Sequence, residues 1–362
     1  MEKYSIAIVS PFPPPYGGMA IQAQKLVSLL RESGFKVIVI KTNADLPNNL
    51  HFMSKVKGLR TILGVLAFLK NLKKILPQVE VVYFLTGFFN FFFWVTYPAL
   101  ILIKMHGKKV ILSAHGGEAG RFFRRYGIWV KPILKRVDAI SVPSGFLQNA
   151  FMEAFNIETE IVPNIVDLNQ FKYIERLSIK PKLLTTRSLE KIYNVACVIK
   201  AFKKVHDHLP GSFLGIVGDG SQRVELKKLV EDLNLSDRVT FYGKVEHERI
   251  QQIYDQYDVY VNASNVDNMP LTILEAFASG LPVVSTRAGG ISYMVEDEVT
   301  GLLVDLNDHE GMAEKIIQLV KGPDKALILA QNARVECQKY SWEHIKKQLI
   351  PLLDKYISDV KN

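Results

Sequence analysis

Short apolar runs rich in β-branched residues alternate along the chain with stretches in which apolar residues return every three or four positions. The runs at 5–10, 81–85, 109–114, 139–142 and 160–162 read as buried parallel strands, and the stretches at 20–32, 54–76 and 145–155 as the helices that cover them. After PNIVD at 163–167, which reads as a hinge, the alternation starts afresh. Strands are expected at 182–186, 212–217, 239–242, 258–261 and 283–285. Helices are expected at 193–208, at 223–233 and from Pro270, with further helices from Asp308 onward, the last beginning at Ser341 and Trp342. The same alternation on both sides of a hinge predicts two doubly wound α/β domains, 1–165 and 166–340, followed by a C-terminal helix at 341–362.

Two stretches allow a second reading. Residues 81–103 carry no charge and are long enough to span a bilayer, but Gly87, Asn90 and Pro98 interrupt them, so a strand followed by a helix in an α/β core is expected instead. The helix at 54–76 sets Val56, Leu59, Leu63, Leu66, Leu69 and Leu72 on or near one face and Lys55, Lys70, Lys73 and Lys74 elsewhere. That is a solvated basic face or, alternatively, one that lies on lipid.

Candidate chemistry gathers where strands run into helices. In SNVDNMPLTILEAFASG, at 264–280, Pro270 fits the first helical turn, and the free N–H groups of such a start favour anions. Asp267 lies just before it, and Glu275 lies inside the helix with a side chain that tilts back to the same end. Either acid alone can be a simple complement to the helix dipole. Gly17 and Gly18 follow the first strand and let backbone approach a ligand, as do Gly218, Asp219 and Gly220 after the strand at 212–217; a tight turn is the competing reading of both loops. His115 stands at a strand's carboxyl end, where open α/β sheets bind ligands, and Phe88, Phe89, Phe91, Phe92, Phe93 and Trp94 cluster just upstream.

Composition narrows the class. At 362 residues, 48% apolar and 22% charged, the chain is globular and large enough for two cores. Two distant cysteines, Cys197 and Cys337, give neither a disulfide framework nor zinc spacing, and a reducing compartment is expected. The N-terminus enters its strand without a basic-then-apolar leader, so no secretory signal is expected. Residues 1–165 hold 20 Lys and Arg against nine Asp and Glu, whereas 166–362 hold 25 against 27. The basic half favours an anionic partner: a membrane surface, a phosphorylated acceptor or, least of all without a recognisable module, nucleic acid.

Seven segments in order resemble the family-four retaining glycosyltransferases of the GT-B fold over nearly the whole chain. They are PYGG at 15–18, SAHGGE at 113–118, VPNIVD at 162–167, TRSLEKIYN at 186–194, GDGS at 218–221, DNMPLTILEAFASGLPVVST at 267–286 and AGGISYMVEDEVTGLLV at 288–304. The resemblance implies two Rossmann-like doubly wound domains facing a cleft, a nucleotide sugar held mainly by the C-terminal one, and a last helix that returns to the N-terminal domain. It also implies that His115, Arg187, Lys191, Asp267 and Glu275 serve catalysis. Gly17, Gly18, Gly218, Asp219, Gly220, Asn268, Met269, Pro270, Leu271 and Thr272 would bind the donor. Two departures stand out: the family's first glutamate is Asp267, and Arg187 and Lys191 are four residues apart instead of five.

In this reading Arg187 and Lys191 hold the diphosphate, His115 approaches the donor sugar, Glu275 the ribose, and no metal or cofactor is required. A leaving diphosphate gains negative charge, so fixed cations there act most in the transition state. The acceptor is expected to be a lipid-linked or surface-polysaccharide sugar in bacterial-type glycan synthesis, and the protein to be cytoplasmic and peripheral on the inner face of the plasma membrane. A nucleotide-sugar epimerase of the same fold and a non-catalytic membrane-surface binding protein are the rival readings. Donor base, donor sugar, linkage and oligomeric state are not encoded legibly.

Overall fold

A computed structural model describes residues 5–14, 17–43, 57–246 and 249–358. The chain forms two compact units, Met1–Ile165 with Ile345–Asn362, and Val166–His344. Pro15 and Tyr16 of the PYGG segment, and the first turn expected at 54–56, lie outside the described residues.

Unit 1 is a six-stranded parallel sheet of β1 (Ser5–Ser10), β2 (Lys36–Lys41), β3 (Val81–Thr86), β4 (Lys109–Ala114), β5 (Ala139–Val142) and β6 (Glu160–Ile161), in the order β2-β1-β3-β4-β5-β6. Its helices are α1 (Gly18–Glu32), α2 (Lys57–Ile75), α3 (Tyr97–Met105), α4 (Ala119–Leu134) and α5 (Gly145–Phe155). Strand order reverses at β1. Right-handed crossovers therefore place α2, α3, α4 and α5 on one face, where they pack side by side, and α1 on the other. The strands alternate accordingly: Val82 and Phe84 join the core under α2 to α5, while Tyr83 and Leu85 line a small cavity with Gln22 and Leu26 of α1 and Leu349 of the C-terminal helix, Trp342–Ser358. From Ile345 onward that helix belongs to unit 1, and its Tyr356 hydroxyl donates to the Asp138 carbonyl at 2.9 Å.

Unit 2 repeats the plan with β7 (Lys182–Thr186), β8 (Phe213–Val217), β9 (Val239–Gly243), β10 (Val259–Asn262), β11 (Val283–Thr286) and β12 (Leu302–Val304), in the order β12-β11-β10-β7-β8-β9. Helices α6 (Val195–His208), α7 (Arg223–Asp232), α8 (Gln251–Tyr254), α9 (Leu271–Ser279), α10 (His309–Lys321) and α11 (Pro323–Cys337) cover both faces, with one core on each. Arg176 pins the entry segment: its buried guanidinium donates to the carbonyls of Ile174, Tyr254, Tyr257 and Ser279.

Several expected boundaries move for local reasons. The 81–103 stretch divides into β3, a π-helical turn Phe92–Thr96 and α3, and among the described residues no helix is long and apolar enough to cross a membrane. The helix expected at 193–208 starts at Val195, because Asn194 adopts a left-handed conformation (φ 47°) after the short 3-10 turn Lys191–Tyr193. Along α2 the buried line is Phe68 and Leu72, continued by Leu76 beyond its end; Leu66, expected on that face, is 57% exposed. The expected line advances mainly by three residues, short of the 3.6-residue turn, and so drifts around the helix, whereas Phe68, Leu72 and Leu76 follow one i, i+4 ridge.

Candidate active site

The candidate residues divide between the units, and each half stands at the carboxyl end of its own sheet. In unit 2, strand order reverses between β7 and β10, which leaves a crevice at their ends. Arg187 leaves β7 there and Asp267 follows β10. Arg187 Nη2 donates to Asp267 Oδ2 at 2.5 Å and Nη1 to Thr272 Oγ1 at 3.3 Å, while the Tyr193 ring packs 4.0 Å from the guanidinium. Its Nε is buried and has no hydrogen-bond partner. Burial alone would lower the pKa of Arg187, but Asp267 and the surrounding tyrosines outweigh it and hold the group above its ordinary value. Asp267 and Tyr193 thus fix a charged guanidinium at the strand-order reversal.

Both oxygens of Asp267 are engaged. Its Oδ2 also accepts from Ser264 Oγ at 3.2 Å, and its Oδ1 from the Asn268 N–H at 2.9 Å. This carboxylate thus holds Arg187 and the loop before α9 together. Asn268 and Met269 are buried beside it. Pro270, expected in the first helical turn, is instead the cap: its extended backbone (ψ 119°) precedes α9, and its carbonyl accepts from the Ile273 N–H. Leu271 and Thr272 open the helix and remain partly exposed. Gly290, in the AGG that opens the 288–304 segment, packs so tightly that a Cβ would meet the Asn268 carbonyl at 2.1 Å.

Glu275 is 7% exposed, and its Oε2 accepts from the Tyr254 hydroxyl at 3.0 Å. That hydroxyl also lies 2.8 Å from Thr186 Oγ1 and 3.2 Å from the Thr272 carbonyl, so one network joins the end of β7, the start of α9 and Glu275. Burial, with Glu275 close by, raises the Tyr254 pKa well above its usual value, keeping it a donor. Sequence reasoning missed Tyr254, which lies outside the recognised segments, and Tyr193, which lies inside TRSLEKIYN but carries no expected role there.

The GDG loop is more than a turn. Gly218 (φ 131°) and Gly220 approach the backbone of Arg187 and Leu189 so closely that a Cβ would meet the carbonyls at 2.1 and 2.5 Å. Glu190 ties the loop down through the Ser221 N–H (2.9 Å) and hydroxyl (2.5 Å). Asp219 turns to its own Gly220 N–H and to Arg223, away from Arg187. Lys191 is exposed on the 3-10 turn and enters none of the contacts that hold Arg187.

In unit 1, helix α1 begins two residues earlier than expected, with Gly17 as its cap and Gly18 as its first residue. Neither has a positive φ, and a Cβ on either would meet nothing within 4 Å, so both leave bare, exposed backbone at a helix start. His115 follows β4, and its N–H donates to the Thr86 carbonyl at 2.8 Å. Its ring Nε2 lies 3.0 Å from Ser113 Oγ, and burial of the ring lowers its pKa to about 4, leaving it neutral at pH 7. Gly116 (φ 113°) faces Phe88, whose ring packs edge-on to Phe123 at 5.6 Å, and Arg121 sits over the Phe89 ring. Among the described residues no group of three or more His, Cys, Asp or Glu could hold a metal ion.

Comparison with known proteins covers both units. The family profile described as Glycosyl transferases group 1 matches residues 169–336, and that described as Glycosyltransferase Family 4 matches residues 16–170. The chain is 30% identical to the N-acetyl-alpha-D-glucosaminyl L-malate synthase of Bacillus anthracis over 274 residues, 72% of this chain and 69% of that one. It is 25% identical over 270 residues to the GDP-mannose-dependent alpha-(1-6)-phosphatidylinositol monomannoside mannosyltransferase of Mycobacterium tuberculosis, covering 68% of this chain and 69% of that one. Among solved structures, the sucrose-phosphate synthase of Thermosynechococcus elongatus superposes with a TM-score of 0.82 at 20% identity, covering 99% of this chain and 100% of that one.

Proposed function

The chain belongs to the group 1, family 4 glycosyltransferases and has their two-domain GT-B fold, and from that premise we propose that it moves a glycosyl group from a nucleotide-diphosphate sugar to a lipid-linked or glycan acceptor with retention of anomeric configuration. The observation that carries the proposal is Arg187: a buried guanidinium, held charged beside Asp267 and against the Tyr193 ring at the strand-order reversal of unit 2. The bond from the anomeric carbon to the diphosphate oxygen breaks and a bond to the acceptor oxygen forms on the same face. The acceptor's proton passes to the departing diphosphate. Charge grows on that diphosphate, and a preset guanidinium and the α9 start stabilise it without reorganisation. Lys191 is the second cation of the assignment, exposed on the following turn. Glu275 holds the ribose, Gly17 and Gly18 offer backbone N–H groups to the phosphates, and His115 meets the donor sugar. The names of the relatives support this reading, one being GDP-mannose-dependent and acting on a phosphatidylinositol glycoside.

Attachment to the inner face of the plasma membrane belongs to the same proposal, in support of bacterial-type surface glycan synthesis. The α2 to α5 layer presents exposed Leu66, Met105, Ile128 and Trp129, the last two 87% and 69% exposed. Helices α2, α3 and α4 carry five, one and four Lys or Arg, and Glu153 in α5 is the one acid of the four helices. Apolar tips among cations suit an anionic bilayer surface.

The test starts from a thermal-shift screen of UDP-, GDP- and ADP-sugars, because a ligand bound to the folded state raises the midpoint. The stabilising donor is then incubated with lipid-linked and glycan acceptors, and the product anomer is read by NMR. A product with the donor's anomeric configuration is expected. An inverted product would refute retention, and conversion of the donor without acceptor would favour the epimerase.

A further inference from the structure

Behind His115 lies a buried row of hydroxyls that the transfer reaction does not explain. Tyr83 of β3, Ser113 of β4 and Ser141 of β5 stand on adjacent strands, Ser113 directly paired in register with Ser141. All three are 3% exposed or less. The Tyr83 hydroxyl donates to Ser113 Oγ at 3.2 Å and lies 3.1 Å from Ser141 Oγ. Ser113 Oγ lies 3.0 Å from His115 Nε2. Residues Tyr83, Ser113 and His115 also line a cavity of about 30 Å³.

Each hydroxyl has one proton, which fixes the direction of the row. Tyr83 spends its proton on Ser113, so it accepts from Ser141. Ser113, already accepting from Tyr83, has its own proton left, and Nε2 is its acceptor in the row. If Nε2 carried hydrogen instead, the proton of Ser113 would have no acceptor among the described residues, a costly state for a buried donor.

We propose that Ser141, Tyr83 and Ser113 form a one-way hydrogen-bond chain that holds His115 in the Nδ1–H tautomer, making the ring a donor to a substrate hydroxyl. The three are positioning residues, and their use in transfer rests on the assignment of His115 to the donor sugar. Burial raises the Tyr83 pKa and lowers that of His115, so both members keep these protonation states near neutral pH. No group among the described residues engages Nδ1. A neutral imidazole whose one lone-pair nitrogen is occupied from behind can only donate forward, and it selects a hydroxyl or carbonyl oxygen over an ammonium group.

The experiment is long-range ¹H–¹⁵N correlation on the histidine-labelled, ligand-free chain at pH 7, with His115 assigned through His115→Asn. Wild type is expected to show hydrogen on Nδ1 and a bare Nε2, and Tyr83→Phe, which keeps the ring and loses the hydroxyl, to show a mixture of tautomers. Ser141→Ala provides a milder second variant with a shift in the same direction. An Nε2–H signal in wild type, as would arise if water in the cavity took the proton of Ser113, overturns the chain, as does an unchanged Nδ1–H signal in Tyr83→Phe. These readouts need no substrate and are independent of the transfer assignment. With the nucleotide sugar that stabilises the protein most, kcat for Tyr83→Phe should fall roughly tenfold with KM little changed, about the effect of one hydrogen bond. An unchanged kcat overturns the use of the tautomer in transfer.

Discussion

The two units share a plan and differ in where they keep their charge. Unit 2 is mildly acidic in sequence, with 21 Lys and Arg against 25 Asp and Glu, yet at its strand-order reversal it buries a guanidinium against a carboxylate. Unit 1 is strongly basic, yet the loops after β1, β3 and β4 open with uncharged groups: Gly17, Gly18, the rings of Phe88 and Phe89, a neutral His115 and Gly116. Many of its cations lie on helices α2 and α4, while Lys36 and Lys41 stand at the two ends of the edge strand β2 and Lys109 pairs with Asp138. Under the proposed function, two similar sheets would divide the work by placement of charge, a buried fixed cation for the departing anion and a diffuse surface charge for an extended partner. Fold sets where strand ends are, and the side chains there set the chemistry.

The sharpest way to break this contrast is Arg187→Gln. If the buried cation stabilises the leaving diphosphate, kcat should fall by roughly 10²- to 10³-fold, the usual loss for one preorganised donor. Circular dichroism would confirm that the fold survives, since Asp267 keeps its contacts with Ser264 and Asn268. A kcat within threefold of wild type would remove the reason for assigning unit 2 the charged role.

Unit 1 offers the converse test. The folded state holds His115 at a pKa of about 4, well below the ordinary 6.5, because burial disfavours the imidazolium. Unfolding lets the ring take up a proton between those values, so its contribution is fully present above about pH 6.5 and is lost as the pH falls towards 4. The expected loss is about 3 kcal/mol at most. Urea unfolding at pH 7, 6 and 5 should show a steeper decline for wild type than for His115→Asn, which has nothing to titrate. Parallel declines would mean that the ring is charged or exposed, and unit 1 would no longer be neutral at its strand ends.

Much of this was legible before any coordinates. The alternation of apolar runs sufficed for both sheets because fully buried parallel strands tolerate few polar residues; strand-end loops singled out Asp267, Glu275 and His115 as candidates, and Arg187 came only with the family resemblance. The partners of those residues were not legible. Arg187 and Asp267 are 80 positions apart and Tyr254 and Glu275 are 21, separations that no local period encodes. The orientation of Lys191 was hidden for another reason: with one residue fewer after Arg187, its direction depends on a 3-10 turn ended by Asn194 in the left-handed region, and that turn brings Tyr193 to the guanidinium instead. The hydroxyl row behind His115 was equally silent, since a serine or tyrosine in a strand reads as an ordinary core position until neighbouring strands are aligned.

The smallest expected effect concerns the surface of unit 1, and it separates placement of charge from amount of charge. Each cation near an anionic bilayer contributes about 1 kcal/mol, so changing Arg124 and Arg125 of α4 to Ser should weaken binding to phosphatidylglycerol-containing vesicles roughly thirtyfold at low salt. Changing the equally exposed Lys227 and Lys228 of α7 in unit 2 removes the same formal charge. If unit 1 alone touches the bilayer, that second pair should leave binding nearly unchanged, and raising the ionic strength should weaken wild type most because it has most to screen. Sedimentation with vesicles of matched size and varied phosphatidylglycerol content measures all three. Equal losses from the two pairs would show that net charge, not the α2 to α5 face, draws the protein to lipid, and the division of labour between the units would then rest on the buried cation of unit 2 alone.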